Sequence, residues 1–152
     1  MLRNFYIGLL AIVVIGSVIF FYRTESQSEQ VAEFGGVSLR IEYATTTLAL
    51  EKGLSGRDSV PSDYGMLFVF QKDDKYGFWM KDTLVPLDIF WLNSKGHVVY
   101  IVQDIATSTY PNVFYPTEPA RYVLETVAGF AREHDIKIGS KLMLKNLESV
   151  SQ

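Results

Sequence analysis

The sequence predicts an α+β domain: a mainly antiparallel sheet with two short helices, preceded by a single transmembrane helix. Three observations carry this expectation. Residues 37–43 set Val37, Leu39, Ile41 and Tyr43 against Ser38, Arg40 and Glu42, the period of two that marks a half-buried strand. Apolar runs at 66–70 and 76–80, and again at 87–92 and 98–102, flank polar turns, as the arms of antiparallel hairpins do. Residues 5–22 carry no charge, and a helix of that length spans about 27 Å, close to the hydrocarbon thickness of a bilayer.

Taken in order, residues 1–4 stay on the cytoplasmic side. Arg3 and the terminal amine precede the apolar stretch, whereas Arg23 is followed by Glu25 and Glu29. A cleaved signal peptide is the rival reading of 5–22. It wants a shorter apolar region and small residues before the cut, and Phe20, Phe21, Tyr22 and Arg23 close this one, which favours an uncleaved anchor. Residues 23–36 are polar, hold three glutamates and end in Gly35-Gly36, so they read as a flexible linker.

The globular domain is expected over 37–146, with a tail at 147–152. After the first strand, Thr45, Thr46 and Thr47 offer capping hydroxyls, and Leu48, Leu50 and Leu54 suggest a short helix stopped by Gly53 and Gly56. The run 66–70, the turn Lys72-Asp73-Asp74-Lys75 and the run 76–80 then read as one hairpin, and 87–92 with 98–102 around Asn93-Ser94-Lys95-Gly96 as a second. Residues 107–120 hold three prolines and three aromatics, which excludes a central strand and implies a long surface loop. A strand resumes at 121–125, one or two helical turns follow at 128–134, and 142–144 closes the sheet.

Composition narrows the function classes. Of 152 residues, about 115 remain beyond the anchor and linker, enough for one domain, and the 48% hydrophobic content supplies its core. With no cysteine, disulfides, thiolate metal sites, a cysteine nucleophile and a lipoprotein anchor are excluded. Net charge is −3, with 14 basic and 17 acidic residues interspersed, so no cationic run tracks phosphates and nucleic acid is not an expected partner. His97 and His134 are the only imidazoles, and neither has a partner at ligand spacing; no metal site and no cofactor is expected. Asp73-Asp74 lacks the surroundings of a calcium loop, and no nucleophile elbow is present.

Several separated motifs stand in one order: Gly53-Leu54, Gly65-Met66-Leu67-Phe68-Val69-Phe70, Phe78-Trp79-Met80-Lys81-Asp82-Thr83, Pro86-Leu87-Asp88-Ile89 and Ala120-Arg121-Tyr122-Val123-Leu124-Glu125. Together they resemble the prokaryotic family known as domain of unknown function 192, over most of the chain beyond the linker. The resemblance implies a compact α+β domain with a curved or barrel-like, mainly antiparallel sheet, often secreted or membrane-anchored. It transfers no activity and no catalytic residue. Some members carry cysteines in the loop matching 107–120, and this sequence has none there.

Eight residues are candidates for a binding site. On a strand at 76–80 continued to 81, Trp79 and Lys81 would share one face, where an indole can stack on a flat ligand and an ammonium can meet an anion. The plain alternative is a core tryptophan beside a snorkelling lysine. Asp88, between Leu87 and Ile89, needs a partner if buried, and Arg121 or Lys81 would serve. Arg121 and Glu125, four apart on a strand, share a face as a polar stripe near a sheet edge. Lys81, Asp88, Arg121 and Glu125 could thus form one charged cluster that binds a ligand, performs acid–base chemistry, or simply fastens strands together. Tyr110, Phe114 and Tyr115 in the proline-rich loop either touch a partner or pack on their own sheet.

The reading these residues favour is a non-enzymatic module on the outer face of the cell membrane. Its partners would be the bilayer, through 5–22, and a small ligand, glycan or envelope protein. Two alternatives stay open. One is a small metal-independent hydrolase using Asp88 or Glu125 with Lys81 or Arg121; the other is a scaffold or assembly factor for membrane proteins.

Overall fold

The computed structural model describes residues 30–144. The expected membrane segment at 5–22, the first part of the linker and the tail at 147–152 lie outside the described residues. Among those described, no helix is long and apolar enough to cross a membrane.

Seven strands form one sheet: β1 (Gln30–Phe34), β2 (Val37–Ala44), β3 (Tyr64–Asp74), β4 (Leu87–Leu92), β5 (Val98–Ile105), β6 (Ala120–Val127) and β7 (Leu142–Leu144). Their order across the sheet is β5-β4-β6-β3-β2-β1-β7. Every pairing is antiparallel except β2 with β3. A parallel pair needs a crossover, and residues 45–63 supply it. That segment carries helix α1 (Thr47–Lys52), whose N-cap Thr46 accepts a hydrogen bond from the Ala49 N–H and which ends at Gly53. A second short helix, α2 (Phe130–Glu133), follows β6.

The sheet curls into a half-barrel because both edges must be reached by the same closing segment. At one edge, β7 pairs with β1. At the other, the Val98 N–H donates to Ser140 O at 2.9 Å and the Gly139 N–H to Val98 O at 2.8 Å. The concave face collects Phe34 from β1, Phe90 from β4 and Phe130 from α2, with ring centroids 5.2 Å apart for Phe34–Phe90 and 6.0 Å for Phe34–Phe130. Ring pairs in such offset and edge arrangements add to the stabilisation from area burial.

Two expectations are corrected here. Residues 30–34, expected inside the flexible linker, are strand β1, so the domain begins before residue 37. Ala32 and Phe34 are buried in the core, and Gly35-Gly36, both with positive φ (64° and 81°), form the β1–β2 turn rather than a tether. The two glycines gave a correct turn signal, but a polar Gln30 on the inward face and an apolar Val31 on the outward face masked the alternation. The expected hairpin of 66–70 with 76–80 is also absent. Strand β3 runs on to Asp74 between β2 and β6, and 76–80 lies across the convex face, touching the 107–120 loop through an isolated Phe78–Phe114 bridge. Both sides of β3 were already taken, so 76–80 could not add a strand beside it.

Asp88 fastens three elements. It is fully buried, on the concave face of β4, where its Oδ1 accepts from the Asp104 N–H at 2.7 Å and its Oδ2 from the Ala131 N–H at 2.8 Å. Asp104 sits in the left-handed region (φ 52°) where the β4–β5 register shifts. One carboxyl group thus satisfies an irregular strand and the start of α2 together. Asp88→Ala leaves two such donors without their acceptor, and a loss of about 3 kcal/mol in urea unfolding, followed by tryptophan emission, is expected; a loss within experimental error would mean that α2 and the β5 bulge are held by packing alone.

Candidate functional site

The convex face of the sheet is apolar as well, with Met66, Phe68, Ile89, Trp91 and Val123 all buried. Its cover is built from irregular chain: the end of α1 with the residues after it, the 76–83 segment, and the proline-rich loop. Trp91 holds this cover down, its indole N–H donating to Tyr76 O at 2.8 Å. Phe70 and Tyr76 stack at 3.5 Å. Gly77 is needed where 76–83 meets the proline-rich loop, since a Cβ there would lie 2.5 Å from the Tyr115 ring and 2.8 Å from Val113.

The crossover is pinned from the opposite side. Arg57 donates to both oxygens of Glu42 at 3.0 and 2.9 Å and to the Tyr64 hydroxyl at 2.8 Å, and Tyr64 in turn donates to Glu42. Burial pushes Glu42 up, but the Tyr64 hydroxyl and the Arg57 guanidinium outweigh it and hold its carboxyl below the usual range. Burial and the neighbouring Glu42 both push the Tyr64 phenol well up.

Between these covers lies a cleft of about 140 Å³, walled by Phe68, Phe70, Tyr76, Phe78 and Trp79 on one side and by residues 50–55 on the other. Glu125 lines it from β6 and is 4% exposed. Among the described residues its Oε2 has no hydrogen-bond partner, unlike the carboxyl of Asp88. Desolvation pushes the Glu125 pKa up to about 8, against the opposing pull of the Leu54 backbone N–H and the Arg57 guanidinium. The acid is therefore mostly neutral at pH 7, able to donate as well as accept. Gly53 makes the approach of the cleft wall possible: its φ of 50° and ψ of −137° suit glycine, and a Cβ there would stand 3.1 Å from Phe68 and 3.4 Å from Glu125 Oε2.

The structure brings some of the eight candidate residues together and separates others. Trp79, half exposed, stands at the mouth of the Glu125 cleft, with the Tyr110 ring edge-on at 6.1 Å and Lys81 Nζ 6.0 Å from its own ring centre. Tyr115 is exposed and packs at Gly77, whereas Phe114 is half-buried and spends both backbone polar groups on Phe78. The single charged cluster does not form. Asp88 lies on the concave face with backbone partners, and Arg121 pairs with Asp73 at 2.6 Å. Glu125, expected in a stripe near a sheet edge, is on a strand flanked by β4 and β3.

Sequence reasoning missed Phe68, Phe70, Tyr76 and the Glu42–Arg57–Tyr64 network. Glu125 was among the candidates as part of a polar stripe, and its place after the apolar run Tyr122-Val123-Leu124 was the signal that it is buried, of the same kind that singled out Asp88. Among the described residues no group of three or more His, Asp or Glu is placed to hold a metal ion.

Comparison with known proteins agrees with this architecture. The family profile described as "DUF192: Uncharacterized ACR" matches residues 30–144, the same span as the seven strands. A solved structure from Sinorhizobium meliloti 1021, described as a "putative transcription regulator", is 28% identical with a TM-score of 0.73, over 79% of this chain and 96% of that one. A protein of unknown function from Novosphingobium aromaticivorans DSM 12444 is 30% identical with a TM-score of 0.67, over 74% of this chain and 81% of the other. No curated protein matches the chain. With a profile match across the whole described sheet, the chain belongs to the domain of unknown function 192 family.

Proposed function

We propose that this chain is a ligand-binding module, held at the outer face of the cell membrane by residues 5–22, that takes a small group into the Glu125 cleft. The observation that carries the reading is a buried carboxyl with an unpartnered oxygen on the wall of an aromatic-lined cleft. Such a group costs stability when left alone, about 1–3 kcal/mol for a neutral polar atom. A ligand that satisfies it recovers that loss. The cleft is smaller than the roughly 300–1,000 Å³ of pockets that enclose a drug-sized molecule, so it suits one ring or one head group, with the rest of the ligand outside. Trp79, Tyr110 and Tyr115 form the exposed surface such a remainder would meet.

The raised Glu125 pKa would also suit a general acid, which is the observation favouring a hydrolase. That reading lacks support from the other residues first considered for it, because Asp88 and Arg121 are engaged elsewhere and Lys81 is outside the cleft lining. The regulator description belongs to the Sinorhizobium protein. Interspersed charge summing to −3 gives this chain little with which to follow a nucleic-acid backbone.

A thermal-shift screen of the full-length chain in non-ionic detergent, against saccharides, small amines, carboxylates and short peptides, tests the binding reading. At least one ligand is expected whose affinity falls about tenfold or more in Trp79→Ala and in Glu125→Gln, the effect of losing a central contact. Ligands insensitive to both substitutions would place binding away from the cleft.

The membrane setting has its own test. Alkaline carbonate washing should leave the chain in the membrane pellet, and protease added to intact cells or spheroplasts should degrade the domain. Recovery in the soluble cytosolic fraction would contradict the anchor.

A further inference from the structure

The ligand-binding reading leaves the chemistry of the ligand open, and the walls of the cleft constrain it. Five of its lining side chains are aromatic, and Phe68 and Phe78 meet edge to face at 4.7 Å. The hydroxyls nearby have spent their protons: Ser55 and Thr83 both donate to Lys81 O, at 2.8 and 3.3 Å, and Tyr76 donates to Lys72 O at 2.9 Å. A saccharide would bring many hydroxyls to a wall with few free partners. An anion would meet a carboxyl group, and a purely apolar ligand would bury that group further.

We propose that the cleft receives a small alkylammonium group, quaternary or primary, its charge met by the Glu125 carboxylate and its apolar surface by the aromatic walls. This deepens the ligand-binding reading and stands only if that reading does. Aromatic faces attract ammonium ions through the ring quadrupole, most strongly where water is excluded. The volume of about 140 Å³ matches a group of roughly benzene size, which a trimethylammonium head approximates.

Among the charges around the cleft, Arg57 is the cation whose field reaches Glu125, and desolvation outweighs it. On α1, the adjacent Glu51 and Lys52 both line the cleft and carry opposite charges. Beyond α1, Arg57 is engaged by Glu42 of β2, and between β6 and β3 Arg121 is engaged by Asp73. Lys81 lies 6.0 Å from the Trp79 ring centre, already using that indole as a cation would.

Binding a permanent cation must ionise Glu125, so the site releases a proton when filled. With the free acid titrating near pH 8, affinity for a ligand that does not itself titrate should rise about tenfold between about pH 7 and about pH 9.

The test is calorimetric titration of the full-length chain, in a detergent without a choline head group, with choline, ethanolamine and 3,3-dimethylbutan-1-ol, the uncharged isostere of choline. Choline or ethanolamine should bind at least about tenfold more tightly than the isostere, with proton uptake by the buffer visible as a dependence of the heat on buffer ionisation enthalpy. Which of the two amines binds more tightly tells a methylated head group from a primary amine. Glu125→Gln, checked for folding by circular dichroism, should lose both the pH dependence and the preference for charge, while Trp79→Ala should weaken every ligand and keep the pH dependence. Should Glu125→Gln fail to fold, the charged-against-neutral contrast and the pH profile of the native chain decide the matter. Equal binding of choline and its isostere, or binding of saccharides without amines, overturns the ammonium inference and leaves the cleft as a binding site. No binding of choline, ethanolamine or the isostere overturns the ammonium inference, and no binding of any compound in the broader thermal-shift screen overturns the cleft reading as well.

Discussion

The sheet has to hide apolar side chains on both of its faces, and most of the architecture follows from that constraint. All six residues of β4 are buried, as are the first six of β3 and Tyr122 to Thr126 of β6. A flat sheet of this kind would need a layer above and a layer below. This chain has too few residues for two helical layers. It curls the sheet so that one face encloses itself around Phe34, Phe90 and Phe130, and it covers the other with irregular chain. Irregular chain follows a surface less closely than a helix does, and the cleft lies where the crossover and the 76–83 segment meet over Glu125.

Two acids on neighbouring strands show how placement decides role. Asp88 and Glu125 differ by one register step, Asp88 standing opposite Thr126 and Ile89 opposite Glu125. Because side chains alternate, one step moves a group to the other face. On the concave side Asp88 finds two backbone N–H groups and becomes a fastener. On the convex side Glu125 finds aromatic rings and an incomplete set of partners, and desolvation governs it. The linkage is directional. Below its ordinary value of 4.5 the acid is protonated in folded and unfolded chains alike and the stabilisation is complete. Between there and about 8 the unfolded chain sheds a proton that the folded chain keeps, so stability falls across that window. A cation bound in the cleft would offset this loss.

Much of this fold was legible as local pattern. The 37–43 alternation, the threonine-capped helix ended by Gly53 and the Asn93–Gly96 hairpin turn depend on neighbours in sequence, and all are present, as is the closing strand at 142–144. What failed depended on pairing and packing that local pattern does not carry. Strand β1 was hidden by a polar Gln30 on its inward face and an apolar Val31 on its outward one, and its pairing with β2 and β7 makes it a strand. The 76–80 run resembled a hairpin arm because its apolar content serves the convex core without joining the sheet. The same limit applied to the site. A buried acid could be suspected from an apolar run, and was for Asp88, but which face it takes, and whether donors wait there, is set by register and by the crossover.

The central claim is that Glu125 sits in the folded domain as a desolvated, largely unpartnered acid open to a ligand. Carbon-detected magnetic resonance of the Glu125 side-chain carboxyl, followed through a pH titration of the full-length chain, tests it most directly. A midpoint near pH 8 is predicted; a midpoint in the ordinary carboxylate range would mean that water or an unseen partner already satisfies the group, and the case for the cleft as a binding site would fail.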